Sequence, residues 1–155
     1  MKLKRLSKPA KLNQYVQPVS LPRHCAPLEF ECDVSAWGQT SLFKNGSLPI
    51  NYSDSRSIPH PDKLRLVQLV INDKRCEDTY GSLFTRRMTC LDHQVGKSYI
   101  GDPCTGDAGG PVVCKGEIQG IVSWGSGQCG ADNRPSVFTR VCAFNDWIQK
   151  TMSTN

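Results

Sequence analysis

None of these 155 residues falls in an apolar run long enough to cross a bilayer. The opening Met1-Lys2-Leu3-Lys4-Arg5-Leu6, followed by Ser7, Lys8 and Pro9, lacks the apolar core of a secretory leader. No Cys-x-x-Cys occurs, which argues against zinc and thiol redox chemistry. Aromatic residues make up only 8% of the chain and are not interleaved with Lys and Arg as a nucleic-acid groove requires. There is no internal repeat and no low-complexity segment. The expectations are therefore no nucleic-acid partner, no membrane insertion, no metal and no cofactor.

The length suits one ordinary domain with a substantial core. The net charge of +5 is modest, and the densest basic run, Lys2, Lys4, Arg5 and Lys8, reads as a solvated segment. The eight cysteines, at 25, 32, 76, 90, 104, 114, 129 and 142, are more telling. An even count at wide spacing implies a disulfide framework and an oxidising compartment. About 105 pairings are open to eight cysteines, so the residues alone do not choose among them. Two Asn-x-Ser acceptors, at Asn45 and Asn51, point to a secreted glycoprotein. The absent leader conflicts with secretion, and the expectation is that Met1 is not the natural start or that the chain is a piece of a longer one.

Residues 1–24 read as one short apolar–polar strand and then an extended connection punctuated by Pro9, Pro18 and Pro22. From Cys25 onward, short runs alternate with turn residues at the spacing of an all-β domain. Residues 64–71 form the clearest strand. Residues 111–114 and 118–124 flank Lys115-Gly116, a tight hairpin signal. Residues 136–141 make another strand. The polar stretch from Trp37 to Lys63 suits an exposed loop. Only the end reads as helix, starting at Ala143 or Asn145, with Phe144, Trp147, Ile148 and Met152 on one face.

The stretch Cys104-Thr105-Gly106-Asp107-Ala108-Gly109-Gly110-Pro111 resembles the nucleophile loop of the trypsin-like (chymotrypsin-fold) serine proteases, Gly-Asp-Ser-Gly-Gly-Pro, with Ala108 in the serine's place. A methyl group has no oxygen to attack a carbonyl and no proton for a histidine to remove. Residues 6–19 look like the family's connection between its two barrels. Val34-Ser35-Ala36-Trp37-Gly38, Ser123-Trp124-Gly125, Val137–Cys142 and Asn145-Asp146-Trp147-Ile148 match further family segments in order. The similarity covers nearly the whole chain.

That resemblance implies a single antiparallel Greek-key β-barrel, the family's second, with a C-terminal α-helix. Residues 25–155 would form the barrel, and residues 1–24 a connection and remnant strand. It implies the bridges Cys25–Cys142, Cys32–Cys114, Cys76–Cys90 and Cys104–Cys129, with Leu66 standing at a further family cysteine position. Gly106 and Ala108 would supply the backbone N–H groups of the oxyanion hole. Asp107, which in active relatives pairs with a freed N-terminal amine, has no evident partner here, so a loosely ordered hole is expected. Asp102 would lie at the base of the specificity pocket, beside Pro103, with Ser136 replacing a wall glycine. Ser123, Trp124 and Gly125 would pair with substrate backbone.

Neither the family's triad histidine nor its aspartate is matched; His24, His60 and His93 read as loop residues. The implied function is a truncated, catalytically inactive homologue that at most binds peptides or protease inhibitors. The alternative is part of a secreted endopeptidase cleaving after Lys or Arg, given a longer chain and a serine at 108. Extracellular localisation follows from lineage and cysteines. Leu3 and Leu6 would lack cover, so self-association is expected.

Overall fold

Along Glu31–Ala36, Cys32 and Val34 turn inward and are buried, whereas Glu31 faces solvent. This alternation lets a short strand serve a closed core on one face only. In the computed structural model, which describes residues 1–38, 61–93, 103, 106–125 and 134–154, six such strands close a barrel. They are β1 (Glu31–Ala36), β2 (Arg65–Ile71), β3 (Met88–Asp92), β4 (Pro111–Cys114), β5 (Glu117–Trp124) and β6 (Ser136–Arg140). Around the barrel they run β1-β2-β3-β6-β5-β4, each pair antiparallel. Because β4 returns to lie beside β1, the first four strands stand in Greek-key order.

The core joins Val34, Leu69, Ile71, Leu91, Val112, Val122 and Phe138. Burying such a side chain stabilises the fold by about 1.5–3 kcal/mol each. The β4–β5 hairpin turns at Lys115 (φ 47°) and Gly116 (φ 82°), both left-handed, as a two-residue turn between right-twisted strands requires. Three bridges, Cys25–Cys142, Cys32–Cys114 and Cys76–Cys90, match the pairing implied by the family. Cys104 and Cys129 lie outside the described residues, as do the acceptors Asn45 and Asn51.

Four expectations need correction. First, a helix absent from the sequence reading, α1 (Asp73–Tyr80), follows β2. Asn72 caps it, its side chain accepting from the Arg75 N–H at 3.2 Å, and only Cys76 within it is buried. Second, residues 1–24 hold no β-strand. They form a local turn, Asn13↔Val16, and one parallel bridge, Ser20↔Glu117. Leu3 and Leu6, three positions apart, do not share one strand face, and no barrel strand pairs with them. Third, the last strand stops at Arg140, and Val141–Phe144 is a 3-10 turn leading into α2 (Asn145–Ser153). Fourth, of the expected apolar face of α2, Ile148 is buried but Trp147 and Met152 are exposed.

The stretch from Ser20 to Ala26 is stitched to the barrel. The Ile118 N–H donates to the Ser20 carbonyl at 2.9 Å, and the Asn145 amide to the Pro22 carbonyl at 2.5 Å. The buried Gln119 side chain donates to the His24 carbonyl at 3.1 Å and accepts from the Ala26 N–H at 3.2 Å.

Candidate functional site

The segment Gly106–Gly110 enters β4 through two left-handed glycines, Gly106 (φ 99°) and Gly109 (φ 89°). Main-chain bonds hold it against β5. The Gly109 N–H donates to the Val122 carbonyl at 2.9 Å, and the Val122 N–H to the Gly110 carbonyl at 2.9 Å. Inside the loop the Gly110 N–H donates to the Asp107 carbonyl at 2.8 Å. The turn buries Asp107 and leaves Ala108 exposed at its crest.

Asp107 was expected to lack a partner, and the structure corrects this. Its carboxylate accepts the Gly38 N–H at 2.6 Å in a buried contact. The carboxylate fills the space a side chain at 38 would need: a Cβ there would sit 2.0 Å from Asp107 Oδ1. Glycine at the end of Trp37-Gly38 is therefore a seat for the acid. The Trp37-Gly38 pair was visible in the sequence, but its role was not, because the acceptor lies 69 positions away.

On the neighbouring strand Ser123 is exposed. The β5–β6 register shifts between Val122 and Trp124, so Ser123 falls at an irregularity that re-aims the strand end. Trp124 is half-buried and meets Tyr80 edge-on, ring centres 4.7 Å apart. The Tyr80 hydroxyl donates to the Pro135 carbonyl at 2.7 Å, so the end of α1 is tied to the entry of β6. Ser136 is buried opposite Gly125, where an added Cβ would approach its Oγ to 3.3 Å.

Asp102 and His60 lie outside the described residues; Pro103 is half-buried. His24 is exposed in the stitched segment, and His93 follows β3, its N–H donating to Asp92 Oδ1 at 2.8 Å. Among the described residues, no three His, Cys, Asp or Glu side chains cluster as metal ligands, and no helix is long and apolar enough to cross a membrane.

Residues 1–148 match the family model described as Trypsin. The chain belongs to the trypsin family. It is 42% identical over 151 residues to Trypsin-2 of Salmo salar, covering 97% of this chain and 58% of that protein. It is 41% identical over 152 residues to the trypsin of Sus scrofa, again covering 97% and 58%. Among solved structures it resembles neuropsin, a serine protease expressed in the limbic system of mouse brain, with a TM-score of 0.76 and 35% identity. That match covers 96% of this chain and 59% of that one. The chain thus spans little more than half the length of the trypsins it matches. The segment Gly106–Gly110 lies within the matched residues and has alanine at position 108.

Proposed function

We propose that this trypsin-family chain is a non-catalytic, extracellular homologue that binds peptides or protease inhibitors without cleaving them. One observation carries the reading: Ala108 stands exposed at the crest of an otherwise well-tethered nucleophile loop. Loss of the nucleophile in an analogous site costs roughly a millionfold in rate. That loss does not depend on what else a longer chain contributes. The backbone of Gly106 and Ala108 and the exposed end of β5 at Ser123 remain available for main-chain recognition, a mode that needs no nucleophile. Ser136 narrows the specificity pocket and disfavours a bulky basic side chain there. The three disulfides support an oxidising, extracellular setting.

The test is a fluorogenic arginine-peptide assay with fluorophosphonate labelling, beside binding to a proteinaceous trypsin inhibitor on a sensor surface. No turnover and no label are expected from this chain or from its Ala108→Ser variant, whose three histidines all stand in sequence unlike the family's triad histidine. Measurable inhibitor binding is expected. Labelling at residue 108 or beside it would overturn the catalytic part, and absence of inhibitor binding would remove the inhibitor-binding part.

A further inference from the structure

The charges of this chain are sharply divided along its length. Six of its 19 Lys and Arg residues, and none of its 14 acids, fall within residues 1–24. The rest is nearly neutral. Among the described residues of the barrel, several cations face anions of the same unit: Arg75 pairs with Asp92 at 2.5 Å, Arg140 with Asp73 at 2.5 Å, and Lys74 with Asp78. Lys115 lies 4.6 Å from the centre of the Phe30 ring. Lys2, Lys4, Lys8 and Lys11, by contrast, are exposed along an irregular segment that contains no carboxylate of its own. Drawn out fully at about 3.3 Å per residue, Lys2 to Lys11 would reach at most on the order of 30 Å. The segment is anchored at its far end by the bonds of Ser20, Pro22 and His24 and by the Cys25–Cys142 bridge.

We propose that residues 1–11 form a docking strip for a sulfated polysaccharide, with Lys2, Lys4, Lys8 and Lys11 as the contacts. Four exposed lysines spread along a segment without secondary structure can follow a linear polyanion, whose condensed counterions are released on binding. Within residues 1–24 the only aromatic is Tyr15, so there is no stacking platform for the bases of a single-stranded nucleic acid. The absence of helix leaves no single apolar face to lie in a lipid surface. The disulfides place the barrel where sulfated glycans are the abundant polyanions.

The experiment uses the full disulfide-bonded chain on immobilised heparin across a salt series, with two quadruple variants. K2Q/K4Q/K8Q/K11Q empties the strip, and K74Q/R86Q/R87Q/K150Q removes the same charge from exposed barrel positions. The unaltered chain is expected to be retained at physiological salt. The strip variant should bind at least about tenfold more weakly, with a log–log salt slope shallower by about three, the figure for four contacts on a single-stranded polyanion. The barrel variant should behave like the unaltered chain. Equal losses in both variants would reduce the effect to net charge and overturn the proposal. So would flow-through of the unaltered chain, or tighter binding to a single-stranded oligonucleotide or to phosphatidylserine vesicles than to heparin.

Discussion

Asp107 and Gly38 form a lock in which an acid and a main-chain N–H, distant in sequence, share one buried hydrogen bond. Two substitutions open it from opposite sides. Asp107→Ala strands a buried donor and should cost about 1–3 kcal/mol. Gly38→Ala drives a methyl into the carboxylate and should cost a similar amount, about 1–3 kcal/mol, through overpacking. Urea denaturation with the disulfides intact measures both, and losses within about 0.5 kcal/mol of zero would show that the loop does not depend on this contact. A motif in the sequence marks single positions, and the glycines Gly106 and Gly109 of that motif take the left-handed turns that favour glycine. The lock was not legible in the sequence, because a pattern of side chains says nothing about which backbone N–H an acid will reach across the barrel.

Elements were legible where their apolar residues keep a strand's alternation and a turn residue ends them. β2, β4, β5 and β6 emerge within a residue or so of their expected bounds, and the Lys115-Gly116 turn joins the strands it should. α1 carries no apolar periodicity because it is short and polar, burying only Cys76, and what holds it is the Cys76–Cys90 bridge together with polar contacts. Asp73 in its first turn accepts from the Cys90 N–H at 2.9 Å and the Thr89 hydroxyl at 3.0 Å, and pairs with Arg140. Arg140 also donates to the Met88 carbonyl at 2.7 Å. One carboxylate thereby ties α1 to β3 and β6. Asp73→Ala leaves the Arg140 guanidinium facing no anion in a mostly buried site and should destabilise by about 3 kcal/mol. The Asn72 cap was the available signal for this helix, since an Asn before a polar run is a helix-start residue.

At the scale of the whole molecule, covalent bridges and bare apolar surface pull in opposite directions. The bridges Cys25–Cys142 and Cys32–Cys114 span 117 and 82 positions, and each removes about 4–5 kcal/mol of loop-closure freedom from the unfolded chain on the entropy model. A Cys32→Ser/Cys114→Ser variant should lose about 2–5 kcal/mol in denaturation. Meanwhile Leu6 is 65% and Tyr15 86% exposed, with Leu12, Val16 and Val19 also uncovered. Sedimentation equilibrium is expected to find dimers or larger species, and a monodisperse monomer would contradict that. The barrel was legible because the cysteines and strand spacing agree with one family pattern; the residue 1–24 strand was not realised because Leu3 and Leu6 do not share one strand face and no barrel strand pairs with them.

The bridge between Cys25 and Cys142 has one more effect. With Cα atoms 5.3 Å apart, the barrel's entrance and exit stand shoulder to shoulder. A host protein could accept this unit inside one of its surface loops without prising that loop open, as inserted modules with neighbouring ends are accommodated.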